Sequence, residues 1–305
     1  MSIYCIGQAV YDITFPISEE IKENRKYRVE SKFECIGAPA TNAASLCGIW
    51  GGDTSLVARV GNDAYGEVIR KQLENNNVNT DSVVVDEKFQ TPLSMVVTNT
   101  NNGSRTLFNY PGKLNEIEFK LPQREPNVIL VDGHELEASL QALKKYPNAI
   151  SIIDAGSFRD ATRILSKEID YLVCSQDFLY QYAQVDVDIK DKNSWELVFQ
   201  KLRELSDGII VVTLGEQGLL YEENNCIYHL PAYKADAVDT TGAGDVFHGA
   251  FAYCLDKGYC LVDTLKISSM AASLSVRKIG GQLSIPTKTE VNDELQRLHT
   301  GIILI

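Results

Sequence analysis

The stretch Asp239-Thr240-Thr241-Gly242-Ala243-Gly244-Asp245 joins two chemical groups that oppose each other. Gly-Ala-Gly carries little side-chain bulk, so the unpaired N–H groups of a following helix can approach an anion closely. Asp245, at the same point, can take a proton from a hydroxyl. A carboxylate beside an anion hole repels phosphate, unless a neutral hydroxyl stands between them and gives its proton to the Asp. Phosphoryl transfer needs this arrangement, because its catalysis is mostly positioning and stabilisation of charge on the transferring oxygens. Phe247, Ala250, Phe251 and Cys254 follow a 3-1-3 spacing, which predicts a helix from about Asp245 with that face buried. The other reading of these residues is a glycine turn whose Asp merely caps the helix.

Competing glycine motifs are absent. No Gly-x-x-x-x-Gly-Lys-Ser/Thr occurs, and a dinucleotide fingerprint from Gly242 would need glycine where Phe247 stands. The formal net charge of -12 argues against nucleic acid as a partner, since neutralising phosphates takes surplus Lys and Arg. The seven cysteines are odd in number and irregularly spaced, without a Cys-x-x-Cys pair. They indicate neither a disulfide framework nor a zinc site and suit a reducing cytoplasm. No stretch reaches the roughly 20 apolar residues that cross a bilayer, and the N-terminus reads as a strand rather than a signal peptide.

The elements that must hold this loop alternate along the chain. Strands are expected at Ile3–Val10, Thr54–Val60, Val128–Val131, Ile150–Ile153, Ile169–Val173 and Gly208–Thr213. Helices are expected at Pro39–Trp50, Tyr65–Asn75, Glu135–Tyr146 and Trp195–Leu205. Short apolar strands separated by helices imply a mostly parallel sheet covered on both faces, within one domain spanning 1–305. Lys26–Glu34 and parts of Thr91–Phe108 instead alternate polar and apolar residues, as strands with one open face do. They predict a small β flap inserted at about 13–35 and 90–112. The apolar tail Gly301–Ile305 is short enough for an edge strand.

The 239–245 segment resembles the C-terminal signature of the ribokinase-like (PfkB-type) carbohydrate kinases. Gly7-Gln8-Ala9-Val10-Tyr11-Asp12-Ile13 resembles their first strand, and Gly37-Ala38-Pro39-Ala40-Thr41-Asn42 their N-terminal signature. Val60-Gly61-Asn62-Asp63-Ala64-Tyr65-Gly66 and Val212-Thr213-Leu214-Gly215-Glu216-Gln217-Gly218 follow in the family's order. The resemblance implies a three-layer α/β/α fold with a mostly parallel central sheet and a β lid that often forms homodimers. It implies ATP-dependent phosphorylation of a sugar, with Mg²⁺, Asp245 as base and Gly242, Ala243 and Gly244 as anion hole. Asp12, Gly37 and Asn42 would meet the sugar. Thr213, Gly215, Gly218 and Gly281, the last in the Lys278–Gln282 loop, would lie near ATP. Asp239 and Thr241 match positions beside a monovalent cation such as K⁺. The rivals are a nucleoside kinase on the same scaffold and a binding protein without catalysis.

Two departures stand out. Ala38 replaces the second Gly of the usual pair, and Ser175-Gln176-Asp177-Phe178 replaces the Asn-x-x-Glu that organises magnesium. Ketohexokinase- and sulfofructose-kinase-like branches also carry Ser there. Arg105 reads as a solvated strand charge or as a lid group reaching an anionic substrate. His248, among four scattered histidines, reads as structural. Gly249, at a cost of about 1 kcal/mol relative to Ala, predicts close packing beneath the helix.

Overall fold

The structure is a computed structural model that describes residues 1–101, 104–112, 117–298 and 303–304. The chain opens with β1 (Ile3–Ile6), β2 (Val10–Ile17), β3 (Phe33–Gly37), α1 (Pro39–Ile49), β4 (Thr54–Gly61) and α2 (Ala64–Asn75). Then come β5 (Val78–Asn79), β6 (Val83–Asp86), β7 (Leu93–Asn99), β8 (Arg105–Tyr110), β9 (Val128–Val131), α3 (Leu136–Lys145), β10 (Ile150–Ala155) and α4 (Asp160–Leu165). The second half runs β11 (Tyr171–Ser175), α5 (Gln176–Ala183), α6 (Lys192–Arg203), β12 (Ile209–Thr213), β13 (Leu219–Glu223) and β14 (Cys226–Leu230). It closes with α7 (Ala243–Asp256), α8 (Leu261–Ser275), α9 (Lys288–Arg297) and β15 (Ile303–Leu304).

Alternate residues of each central strand enter opposite cores, which makes three layers. Ile3 and Cys5 pack with residues of α1, α7 and α8, while Tyr4 and Ile6 pack with those of α3, α5 and α6. Among the described residues the large sheet has the order β15-β14-β13-β12-β11-β10-β9-β1-β4-β5, with β6 on β4. The strands from β5 to β12 run parallel, and β13, β14 and β15 add an antiparallel edge. From β1 the chain builds outward to β4 and β5, then returns across β1 to β9. That reversal creates a crevice at the carboxyl ends of β1 and β9, where open α/β sheets place ligands.

A second sheet, β3-β2-β7-β8, is the lid. Its strands correct two sequence expectations. The apolar run Ile3–Val10 is broken at Gly7-Gln8-Ala9, where the chain leaves the main sheet, so β2 supplies the first lid strand, and of Lys26–Glu34 only Phe33 and Glu34 join the lid, at the start of β3. Residues 26–32 form no strand, and Val29 is exposed there with no neighbouring strand to cover it. The Tyr27 hydroxyl serves this loop alone, accepting from Lys22 N–H at 2.7 Å and donating to the Glu20 carbonyl at 3.1 Å. The second insertion does form strands, β7 and β8. Of the tail, Ile303–Leu304 pairs with β14, and Gly301, Ile302 and Ile305 lie outside the described residues, as do 102–103 of the second insertion.

Gly249 has the tight surroundings expected of it. A Cβ there would lie 2.9 Å from the Ala43 Cα and carbonyl oxygen, so its absence lets α1 and α7 touch. This contact brings the two signature segments together across the sequence.

Candidate active site

Helix α7 starts one turn before the point at which apolar spacing becomes visible. Its N-cap is Gly242, at φ 77 with no side-chain cap, and Asp245 is the third helical residue. Asp245 is therefore not the cap. Its Oδ2 accepts a 2.6 Å hydrogen bond from Asn42 Nδ2 of α1. The Asn42 Oδ1 is buried and has no hydrogen-bond partner among the described residues, so it can receive a hydroxyl proton from outside. A Cβ on Gly244 would meet nothing within 4 Å, which leaves the helix start open to an anion. The loop thus offers amide donors and a carboxylate side by side, the pairing read from its sequence.

Burial pushes the Asp245 carboxyl up to about 6. The charges of Asp154 and Asp132 add to this, while Asn42 and His248 oppose it. Asp12, in β2, is likewise pushed up to about 6, first by burial; a Ser94 hydrogen bond opposes, and the charge of Asp245 adds. Gly37 lies directly against it, since a Cβ at Gly37 would fall 1.9 Å from Asp12 Oδ2. Asp12, Gly37, Asn42 and Asp245 therefore face one crevice.

The remaining expected residues divide into two groups. Gly281 joins the anion loop, its Cα 3.1 Å from where a Cβ on Gly242 would stand. Asp239 is buried and ties the same turns together, accepting from Thr241 N–H at 2.9 Å and Gly280 N–H at 3.0 Å. No ion pair among the described residues includes it. Arg105, exposed on β8, donates from Nη1 to the Thr241 hydroxyl at 3.2 Å and so spans lid and loop. Thr213, Gly215 and Gly218 stand apart, in the turn after β12. Thr213 Oγ1 donates to the Cys174 carbonyl at 3.3 Å, and a Cβ on Gly218 would strike the Leu230 carbonyl at 2.1 Å. Among the described residues no hydrogen bond or ion pair joins this turn to Gly242–Asp245; β11, paired to β12, lies between β12 and β10.

Where the resemblance leads one to expect Asn-x-x-Glu, Ser175 caps α5, accepting from Phe178 N–H at 3.0 Å and donating to the Gly156 carbonyl at 2.9 Å. Phe178, where the resemblance leads one to expect Glu, is fully buried in the core. Only Asp177, exposed in the first turn, offers a carboxylate there.

Sequence reasoning missed two buried carboxylates, Asp132 and Asp154, and read His248 as structural rather than as a ligand. Asp132 follows β9 and accepts from the N–H groups of Gln8 at 3.0 Å and Ala40 at 3.2 Å, tying the ends of β1 and α1 to the crevice. Burial pushes Asp132 up, but the charge and hydrogen bonds of His134 outweigh it and hold it low. Asp154, at the end of β10, is buried against His248 of α7, 3.1 Å from its Nδ1. The available signal was a carboxylate at the carboxyl end of an all-apolar strand, in Val128–Val131 before Asp132 and in Ile150–Ile153 before Asp154.

A mostly parallel sheet, a helix start open to an anion at its carboxyl edge and a lid above define a phosphotransferase with a hydroxyl acceptor. The chain belongs to the pfkB family of carbohydrate kinases, whose profile matches residues 1–288. The ribokinase of Lactococcus lactis is 25% identical over 87% of this chain and 87% of its own. The nucleoside kinase of Methanocaldococcus jannaschii is 24% identical over 97% of each. The ribokinase of Arabidopsis thaliana, solved in complex with ribose and ATP, superimposes with a TM-score of 0.83 at 23% identity, over 97% of this chain and 98% of its own. The chain is by family an ATP-dependent carbohydrate kinase.

Proposed function

We propose that the chain, acting as one catalytic unit, transfers the γ-phosphoryl group of MgATP to a hydroxyl of a small sugar, with Asp245 as general base. The observation that carries this reading is the 2.6 Å bond from Asn42 to Asp245, beside helix-start amides that no side chain obstructs. Asn42 holds one carboxylate oxygen and leaves the other to the substrate hydroxyl. As the sugar oxygen attacks phosphorus, its proton passes to Asp245, and the N–H groups after Gly242 receive the growing negative charge. Asp12 and the free Asn42 Oδ1 orient the sugar against Gly37, where any larger residue would collide with Asp12.

Arg105 stands across the cleft at Thr241, placed to meet the transferring phosphate when the lid lies over the site. A closed lid excludes water and so limits ATP hydrolysis. Thr213, Gly215 and Gly218 line the nucleotide side. Among the described residues Asp239 is a buried carboxylate met only by backbone N–H groups, which suits a monovalent cation; K⁺ held with Thr241 would add positive charge behind the loop. Lid strand β8 is a sheet edge with Leu107, Phe108 and Tyr110 exposed, which supports a homodimer through the lid; equilibrium sedimentation reads it directly. Seven free thiols suit a reducing cytoplasm, and no helix of the described residues is long and apolar enough to cross a membrane.

The test is ADP release from MgATP across ketoses, aldoses, sulfofructose and nucleosides, with Asp245→Asn as control. The nucleosides are included because the archaeal relative acts on them by name. Turnover of one sugar, reduced on the order of 10² to 10⁴-fold in the variant, is expected. Near-normal turnover by the variant would refute the base assignment.

A further inference from the structure

His248 lies one turn after Asp245, and three oxygens surround its ring. Nδ1 stands 2.7 Å from the Gly244 carbonyl and 3.1 Å from Asp154 Oδ2, and Nε2 stands 3.2 Å from the Val173 carbonyl in β11. All three are acceptors. A neutral imidazole has one N–H and one lone pair, so it would turn that lone pair toward a carbonyl oxygen. A ring carrying both protons gives each carbonyl a donor and leaves Asp154 Oδ2, which makes no hydrogen bond among the described residues, 3.1 Å from Nδ1 as its ionic partner; burial pushes the Asp154 carboxyl up and the charge of His248 opposes this. Both residues are buried.

The Gly244 carbonyl is one half of a planar peptide whose other half is the Asp245 N–H. Fixing that oxygen fixes the direction of that N–H at the helix start. His248 therefore reaches the anion hole through the backbone while touching no substrate. Through Val173 it also ties α7 to β11, the strand that ends at Ser175.

We propose that His248 and Asp154 form a buried positioning pair that aims the Asp245 N–H at the phosphate and sets the electrostatic surroundings of the Asp245 carboxylate. This rests on Asp245 being the base. The charged and polar groups facing Asp245 are Asn42 from α1, Asp12 from β2, Asp132 after β9, Asp154 from β10 and His248 from its own helix. Around Asp154 stand His248, Asp132, His134 and Arg159. Within this set, His248 and Asp154 act on Asp245 with opposite sign. Removing the cation leaves Asp154 uncompensated beside the base, whereas removing the Asp154 charge leaves the cation alone with it.

The experiment is the pH dependence of kcat/KM for the sugar in the wild type, His248→Asn and Asp154→Asn, with Asp245→Asn as control. The acid limb is expected to move up in His248→Asn and down in Asp154→Asn, each by on the order of 1 unit, as for a charge lost near a carboxylate. kcat should also fall in His248→Asn by on the order of 10-fold or more, because an anion-hole N–H loses its alignment. A purely structural role would shift neither limb, or both in one direction, and either result overturns the proposal. Thermal melts identify a variant that does not fold. Asp154→Asn keeps the shape of the side chain, so an acid limb that it leaves in place overturns the proposal by itself. Turnover surviving in Asp245→Asn would instead remove the base assignment, and this proposal with it, without involving His248 or Asp154.

Discussion

Ala38→Gly should stabilise this protein. Ala38 sits at φ 85 and ψ 152, between Gly37 and the first helical residue Pro39. Positive φ with ψ near 150° is a region that essentially only glycine occupies, and holding another residue there costs about 1–3 kcal/mol. The Ala38 methyl is only half-buried, so its removal forfeits little packing. Glycine loses more chain entropy on folding, which returns about 0.5–1 kcal/mol. The two ranges differ by about 0–2.5 kcal/mol, with a central net gain of about 1 kcal/mol. For a chain of this size that raises Tm by about 1–4 °C, scaling from about 2–4 °C per kcal/mol in somewhat smaller domains. Urea unfolding followed by circular dichroism should show a higher midpoint at unchanged slope. A midpoint that stays put or falls would show that Ala38 is not strained, or that its methyl group contributes more than its exposure implies.

Three further outcomes follow from the same geometry. With Asp245 and Asp12 both pushed up to about 6, kcat/KM should fall as pH drops below about 6, by about tenfold per unit if one carboxylate must be ionised and more steeply if both must; a profile flat down to pH 5 would contradict the site's electrostatics. A carboxyl with a folded pKa of about 6 and an ordinary value near 3.8 binds more protons folded than unfolded between those values, so the folded state loses stability as pH rises through that window. Asp245→Asn should therefore melt higher than the wild type at pH 7–8, with the difference shrinking as pH falls from 6 toward 4. Gly249→Ala should destabilise by up to about 2 kcal/mol in urea unfolding, the balance of overpacking of about 1–3 kcal/mol against Ala43 and Leu46 and a helix-propensity gain of about 1 kcal/mol, and it should lower kcat by moving Asn42 from Asp245.

Much of the scaffold was legible because apolar strands and amphipathic helices differ in period. Val128–Val131 was located to the residue, and α2, α3 and α6 to within a few. The helix start at Gly242-Ala243-Gly244-Asp245 was legible from its glycines and the apolar spacing after them, although the same residues also read as a plain glycine turn with a capping Asp. Less legible were features that depend on contact between distant segments. Asp132 and Asp154 each read as a turn residue after a strand, and only the sheet order reveals that both face Asp245. Lys26–Glu34 alternated like a strand, but alternation specifies a strand only where a neighbour covers one face. His248 looked structural and is buried as such a residue would be; its significance lies in which carbonyl it holds. Ala38 was visible as a departure, yet the backbone angle that makes it costly was not.

The root of lid strand β7 is fastened unlike the others. Thr91 donates its N–H to Asp63 Oδ2 at 2.9 Å and its hydroxyl to Asp63 Oδ1 at 2.7 Å, while that hydroxyl accepts from Gly61 N–H at 2.9 Å. Asp63 in turn caps α2 through Gly66 N–H. The roots of β2 and β3 instead pass through Gly7-Gln8-Ala9 and the strained Gly37–Ala38 step. The β2 root is held as well, by Gln8 N–H to Asp132 at 3.0 Å and by the Thr41 hydroxyl to the Gln8 carbonyl at 2.9 Å, so the sheet is anchored at the roots of β2 and β7, and its outer edge lies beyond β7. That edge is β8, with Arg105. A rotation of the sheet about Thr91 would therefore displace Arg105, which touches Thr241 of the loop and pairs opposite Thr98 at the far end of β7, more than the residues nearer the root.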